Sequence, residues 1–211
     1  MSQPDTKQRL LDAAERLFAR DGFHCTSLRA LTTEAGTNLA AVNYHFGSKE
    51  ALIEAVFERR LIPLNKARRE RLEAVREAAR RQGVRPSVQD TLRAFIEPTL
   101  EFRDIGPGAR DFVILVGRAL GEADGSLRGL FFRLMEPVLL LLFETLCDAL
   151  PELPRTTIYW RLYFTMGAMA QVMCVCDSHL PQPEGVAMVS DSREMLQLLL
   201  PFITSGMEKA S

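Results

Sequence analysis

Residues 27–50 read SLRALTTEAGTNLAAVNYHFGSKE, and this stretch decides the fold of the chain. It predicts two short helices separated at Gly36, followed by a Phe-Gly-Ser-Lys stop that opens a third helix. Gly36 can take the positive φ angle that a tight turn needs, and Asn38 can cap the next helix. That helix, expected over residues 39–45, is too short to be stable alone. The pattern predicts a helix-turn-helix, whose second helix enters the DNA major groove.

Length and composition are those of a globular protein. The 211 residues suffice for one large domain or two small ones, and 47% are hydrophobic and 25% charged. Because the net charge is −1, positive charge for binding DNA has to be local. The sequence shows neither a signal-peptide pattern nor an apolar run long enough for a membrane span. We therefore expect no membrane partner.

The cysteines indicate the compartment. Four cysteines in a chain of this length fit a reducing cytoplasm, where we expect the protein. Cys174 and Cys176 lack the second ligand pair that a structural zinc site needs, so they are expected to be buried thiols.

Helical periodicity dominates the rest of the chain, and no alternating strand pattern is convincing. In the first helix an apolar stripe follows the spacing i, i+3, i+4, i+7, i+8 and consists of Leu10, Ala13, Ala14, Leu17 and Phe18. Further helices are expected over residues 48–82, 87–103, 111–121, 126–150, 156–178 and 190–209. Residues 105–108, Ile-Gly-Pro-Gly, are expected to form a loop. The sequence predicts an all-α fold.

A basic run follows the helix-turn-helix. Its cations are interleaved with Glu54, Glu58, Glu70, Glu73 and Glu77 at spacings that allow ion pairs along a helix. This pattern favours a solvated helix face over a second DNA-binding element. The cations of the run are Arg59, Arg60, Lys66, Arg68, Arg69, Arg71, Arg76, Arg80 and Arg81.

About the first sixty residues resemble the TetR family of bacterial transcriptional regulators. The resemblance rests on LLDAAERLFARDGF at residues 10–23, the Ala35-Gly36 turn, the His45-Phe46 pair and the helix entry at residues 48–52. It implies a three-helix DNA-binding domain over residues 1–50. It further implies a larger helical domain for effector binding and dimerisation over residues 51–211. The run LAAVNYHFGSKEAL at residues 39–52 looks like a fatty-acid-responsive, PsrA-like subgroup.

Ten residues of the motif are candidates for DNA contact. Arg29 can read guanine or instead pair with Glu34, and Leu39 can face the groove or the core. His45 can contact a phosphate or only support Phe46. In the family the residue at position 43 is usually Tyr and that at position 40 often Gly, so the operator sequence stays open. The candidates are Ser27, Arg29, Thr37, Leu39, Ala40, Ala41, Asn43, Tyr44, His45 and Lys49.

The C-terminal helices are apolar on nearly every side, so each has to be buried against its own domain and also against a second partner. The simplest second partner is another copy, and the family implies that the last two long helices form the dimer interface. A two-fold dimer would place two reading helices one DNA turn apart on a palindromic operator.

Methionines, aromatic residues and three arginines within these helices favour binding of a lipophilic anion such as a fatty acid or acyl-CoA. Arg118, Arg133 and Arg161 are expected to be buried and to need an anionic partner. That partner is either a ligand or one of Glu97, Glu136 and Glu144. The predicted ligand-binding residues are Leu115, Arg118, Phe131, Met135, Trp160, Arg161 and Phe164.

Catalysis is not expected, because the sequence has no phosphate-binding loop, nucleophile elbow or metal-binding histidine pair. No cofactor or metal is expected either. Two function classes therefore remain. The first is a transcription repressor that a lipophilic effector releases from its operator, and the second is a DNA-binding regulator or architectural protein without a small-molecule effector.

Overall fold

A computed structural model of the protein describes residues 5–121, 125–174, 183–187, 189 and 191–209. Within these residues there are nine α-helices and no strand, which confirms the all-α prediction. None of the described helices is long and apolar enough to cross a membrane. The helices are α1 Thr6–Asp21, α2 Leu28–Glu34, α3 Leu39–His45, α4 Lys49–Gln82, α5 Val88–Arg103, α6 Pro107–Gly121, α7 Ser126–Ala149, α8 Arg155–Cys174 and α9 Ser192–Glu208.

The chain divides into two compact units. Unit 1 consists of Met1–Pro63 and Ile105–Leu134, and unit 2 consists of Leu64–Asp104 and Met135–Ser211. Helices α4 and α7 therefore each contribute to both units. In unit 1, α1 packs against α2, α3 and α6; in unit 2, α9 packs against α5 and α8.

Helix α6 begins four residues earlier than the sequence predicts. Gly106 has a φ angle of 148°, and the helix starts directly after it at Pro107. Proline is well suited to the first position of a helix, where a backbone N–H has no partner in any case. The expectation of a loop over residues 105–108 is therefore wrong for Pro107 and Gly108.

The ends of α8 and α9 bear on two further expectations. Cys176, the side chain of Cys174 and the predicted end of α8 at residue 178 lie outside the described residues. The start of α9 is set by Asp191, whose carboxylate accepts hydrogen bonds from the backbone N–H groups of Arg193 and Glu194, both at 2.9 Å. This cap places the first helical residue at Ser192.

The basic run on α4 is only partly a solvated face. Lys66 pairs with Glu70 along the helix, but Arg71 contacts Glu97 and Glu101 of α5. Arg68 departs most from the expectation, because only 3% of it is exposed. It follows Leu64 and precedes Leu72 at intervals of four residues, and both leucines are buried. Arg68 thus occupies a position in an apolar stripe that faces the core of unit 2.

Candidate nucleic-acid interface

Helices α2 and α3 are held in place by local capping. The Ser27 hydroxyl oxygen accepts a hydrogen bond from the Ala30 N–H at 3.1 Å, and the Asn38 side chain accepts one from the Ala41 N–H at 3.0 Å. Gly36, between the two helices, has a φ angle of 59°, as its position in the turn predicts. These caps satisfy donors that such short helices would otherwise leave to water.

One buried residue anchors α3. Val42 packs in a small core with Leu10 and Ala13 of α1 and Ala35 at the end of α2. It is the only buried member of the seven-residue helix. The remaining side chains of α3 are therefore available to contact another molecule.

The outward side of α3 carries most of the predicted DNA-contacting residues. Leu39 is half exposed, which places it on the surface rather than in the core, and 85% of Tyr44 is exposed. The His45 ring lies edge-on to Tyr44, with centroids 5.0 Å apart, and 6.2 Å from the ring of Phe46. Of the ten candidates, Ser27, Arg29, Leu39, Ala40, Asn43 and Tyr44 are exposed, and Thr37, Ala41, His45 and Lys49 are partly exposed.

Arg29 keeps its charge available. The ion pair with Glu34 that the sequence allows is absent, because Glu34 pairs with Arg16 of α1 at 3.0 Å. Arg20 is likewise engaged by Asp21 at 2.8 Å. Among the described residues no acid pairs with Arg29, so its guanidinium is free to bind a base edge or a phosphate.

Lys49 begins α4 beside the motif. Its Nζ lies 4.3 Å from the centroid of the Phe23 ring. Burial is the largest influence on this amine and lowers the pKa of Lys49 from its ordinary value. A desolvated ammonium that faces an aromatic ring gains more from a phosphate than one already surrounded by water.

A buried ionic cluster joins α1 to α4 in unit 1. Glu15 of α1, only 2% exposed, accepts hydrogen bonds from Arg59 at 2.7 Å and from Arg60 at 2.9 Å. Arg59 also contacts Asp12 at 2.6 Å. Glu15 belongs to a second buried face of α1, since Leu11, Glu15 and Ala19 are four residues apart and all buried. The cluster fixes α1 to α4.

Two family models match the chain, one to each part. The model described as "Bacterial regulatory proteins, tetR family" matches residues 10–56. The model described as "Tetracyclin repressor-like, C-terminal domain" matches residues 93–206, more than half of the sequence. The chain belongs to the TetR family. It is a transcriptional regulator that binds DNA through its helix-turn-helix.

Curated relatives match about a quarter of the chain. The nicotine-responsive repressor HdnoR of Paenarthrobacter nicotinovorans is 44% identical over 55 residues, which are 26% of this chain and 28% of that protein. The regulator UidR of Escherichia coli K12 is 40% identical over 55 residues, with the same shares. The matched region thus spans little more than a quarter of the length of these relatives.

Solved structures match over the whole length. FadR of Bacillus halodurans, a fatty acid degradation regulator, superposes with a TM-score of 0.71 at 14% identity and full coverage of both chains. FadR of Bacillus subtilis, in complex with stearoyl-CoA, gives a TM-score of 0.69 at 14% identity, covering 94% of this chain and 98% of that one. At this identity the likeness establishes the fold of both parts of the TetR regulator.

The predicted ligand-binding residues of unit 1 are divided between core and surface. Leu115 of α6 is buried and Phe131 of α7 partly buried. Arg118 is exposed and donates to the backbone carbonyl of Arg20 at 3.0 Å. Arg133 is exposed as well and pairs with Glu54 at 2.6 Å. The expectation of buried arginines is wrong for Arg118 and Arg133, because both extend to the surface of their helices.

The predicted ligand-binding residues of unit 2 divide between core and surface. Met135 is buried, and Arg161 is partly buried and donates to the Met207 carbonyl at 2.8 Å. Trp160 and Phe164 are exposed instead, with ring centroids 6.3 Å apart. None of the seven residues lines the cavity of about 410 Å³ between α5 and α9, which Gln89, Arg93, Glu97, Arg193, Leu196, Gln197, Leu200 and Pro201 surround.

Helices α8 and α9 expose apolar side chains on their outer faces. On α8 these are Tyr159, Trp160, Tyr163 and Phe164, which recur at the helical spacing of one face. On α9 they are Leu198 and Phe202, whereas Leu199 and Ile203 point into the core. Two packed helices that both present large apolar groups to water mark an interaction surface.

Proposed function

We propose that this TetR regulator is a repressor that binds a palindromic operator as a homodimer and is released by a small lipophilic effector. Residues 1–50 would bind DNA, and residues 51–211 would bind the effector and form the dimer. The proposal has three parts: the DNA contacts, the dimer and the effector.

The DNA contacts rest on the exposed side of α3. Tyr44, Asn43 and Leu39 are exposed there, and Val42 is the only buried residue of the helix. A helix of seven residues with one buried residue contributes little to a core, so its exposed side chains are available to bind another molecule. The major groove accepts a helix of this kind, with Arg29 and Lys49 contacting phosphates or bases at its ends.

The proposal of a dimer is supported by the exposed apolar side chains of α8 and α9. Six large apolar residues are exposed on two helices that pack together, and apolar side chains of this kind are what the centre of a stable interface buries. A second copy supplies a surface of the same composition, related by a two-fold axis. Trp160 and Phe164, predicted to line a ligand site, would then lie against the partner.

The proposal of an effector is supported by the fold and by one buried polar group. The structure of Bacillus subtilis FadR, with the same fold, contains stearoyl-CoA. In unit 2 of this chain the single observation that points to a ligand is Arg68, a buried arginine for which the described residues provide no acid. A ligand that prefers one conformation of the dimer shifts its affinity for DNA by the difference in ligand affinity between the two states.

The test uses the full chain bound to operator DNA selected from a random pool. Saturated fatty acids of graded length, and their CoA esters, are titrated against this complex while fluorescence anisotropy reports DNA release. Release by some members of the series, with thermal stabilisation of the free protein by the same members, supports the proposal. If no member releases DNA or stabilises the protein, the regulator works without such an effector.

A further inference from the structure

Arg68 is a buried charge for which the described residues provide no acid. Its exposure is 3%, and its position in α4 between Leu64 and Leu72 turns the side chain into the core of unit 2. A buried guanidinium normally has a carboxylate beside it, because an isolated charge in an apolar surrounding is costly.

Every partner of Arg68 in the described part of the chain is neutral. Nη1 donates to Asn65 Oδ1 at 2.8 Å and to Met135 Sδ at 3.3 Å, and Nη2 donates to Thr99 Oγ1 at 2.6 Å. The Phe95 ring lies against the guanidinium, with 4.4 Å between Cζ and the centroid. Thioether sulfur is a weak acceptor, so the contact to Met135 is the one most easily exchanged for a better one.

One donor of the guanidinium has no acceptor in the part of the chain that the structure describes. This donor is the buried Nε atom, and a buried N–H left unpaired costs free energy. Burial lowers the pKa of Arg68 to about 9, so the group is still charged at neutral pH. Unit 2 therefore holds a positive charge with an unused donor, surrounded by apolar side chains.

The chemistry of the missing group follows from this surrounding. A single arginine with an open N–H matches a group with one negative charge and a planar pair of oxygens. Phe95 and Met135, both almost fully buried, require that the rest of the molecule be apolar. A fatty acid has both features, whereas the thioester carbonyl of an acyl-CoA has no charge to offer.

We propose that Arg68 anchors the carboxylate of a fatty acid in unit 2. The carboxylate accepts from Nε, while the flexible Met135 side chain moves aside for the start of the acyl chain. This inference rests on the proposed function, since it names the group that recognises the effector. Two acids of unit 2 are already engaged by other arginines, Glu97 by Arg71 and Glu144 by Arg155.

The test compares Arg68→Met with Arg71→Met in the full chain. Both remove an arginine from α4, but Arg71 already has Glu97 and Glu101 as partners. Calorimetry measures binding of saturated fatty acids, from octanoic to octadecanoic acid, and of the alcohols of the same length. We expect Arg68→Met to bind the acids at least about 30-fold more weakly, since losing one member of a buried charge pair has an effect of that size. Its affinity for the alcohols stays unchanged, and Arg71→Met keeps the preference for acids.

The outcomes separate this inference from the proposed function. If the wild type binds fatty acids and Arg68→Met binds them equally well, the anchor is wrong and the effector proposal stands. If the wild type binds neither acids, alcohols nor acyl-CoA, the effector proposal itself fails. Circular dichroism shows whether Arg68→Met folds. If it does not fold, the same binding measurements on the wild type and on Arg68→Lys test the anchor. A preference for acid over alcohol in both supports the anchor, and its absence from the wild type overturns it.

Discussion

Gly108 of α6 lies so close to Arg60 of α4 that a Cβ added at Gly108 would stand 2.5 Å from Nη2 of Arg60 and 2.9 Å from Oε1 of Glu15. Real Cβ atoms do not make contacts of this length. The absence of a side chain at Gly108 thus lets α6 pass directly over the buried ionic cluster that joins α1 to α4.

Replacing Gly108 by Ala should therefore destabilise the protein, although alanine is the better helix former. Arg60 has to withdraw from Glu15, and the loss of a charged hydrogen bond at a buried carboxylate costs about 1–3 kcal/mol. The matched control is Gly129→Ala on α7, where an added Cβ meets nothing within 4 Å. That variant should gain up to about 1 kcal/mol. Urea denaturation measures both, and equal gains for the two variants would contradict the contact at Gly108.

Replacing Lys49 by Ala should weaken DNA binding uniformly across sequences. If the ammonium contacts one phosphate, its loss lowers the slope of log affinity against log salt by about one unit. Lys66→Ala is the control, because it removes the same charge from the same helix at a residue that pairs with Glu70. Anisotropy titrations at several salt concentrations measure the slopes, and identical slopes for the two variants would remove Lys49 from the interface.

Replacing Arg29 by Ala should change base preference as well as affinity. An arginine that reads a guanine edge contributes about 1–3 kcal/mol of discrimination at one base pair. We therefore expect Arg29→Ala to lose affinity for the operator but little for shuffled DNA. Selection from a random pool would show one relaxed position in each half-site. An unchanged consensus would mean that Arg29 contacts only phosphates.

Replacing Phe202 by Glu should produce a folded monomer. Phe202 is exposed on the outer face of α9, so a charge there costs nothing in the monomer but opposes burial against a second copy. Ile105→Glu is the control, since Ile105 is equally exposed but lies between α5 and α6. Analytical ultracentrifugation distinguishes the two, and a dimeric Phe202→Glu variant would place the interface elsewhere.

Replacing Asp111 by Asn should stabilise the protein at neutral pH. Burial, followed by the charge of Glu15, raises the pKa of Asp111 above its ordinary value of 3.8. An acid whose pKa is higher in the folded state costs stability once both states are ionised, and this cost disappears as the pH falls through the folded pKa. We expect a small gain in stability at pH 7 that shrinks in acid.

The control for Asp111 is Asp21→Asn. The hydrogen bond from Arg20 lowers the pKa of Asp21, so the same substitution removes a favourable interaction there. Its effect at neutral pH should be a small loss rather than a gain. Thermal denaturation between acid and neutral pH measures both variants, and a gain that persists in acid would show that the charge of Asp111 is not responsible.

The helix-turn-helix could be predicted almost to the residue, because its signals are local. Gly36 takes the expected positive φ, Asn38 caps α3, and α3 spans the expected residues. Each signal depends on groups within a few positions along the chain, so it does not depend on how the helices pack in the tertiary structure.

The buried charges could not be predicted, because they depend on what each helix packs against. Glu15 reads as a surface residue until Leu11 and Ala19 are seen to be buried with it. Arg68 is one of many cations on α4, and only its register with Leu64 and Leu72 distinguishes it from them. Arg118 shows the reverse case, since an apolar helix still has a side that faces water.

The single anchor of α3 has a consequence for how such regulators diversify. Because Val42 is the only buried residue of the helix, Ala40, Asn43 and Tyr44 can be exchanged with little effect on folding. A few substitutions at these positions can then change the operator that the protein binds, because each one alone leaves the protein folded. A library randomised at these three positions should consist mostly of folded proteins and yield regulators with new DNA specificities.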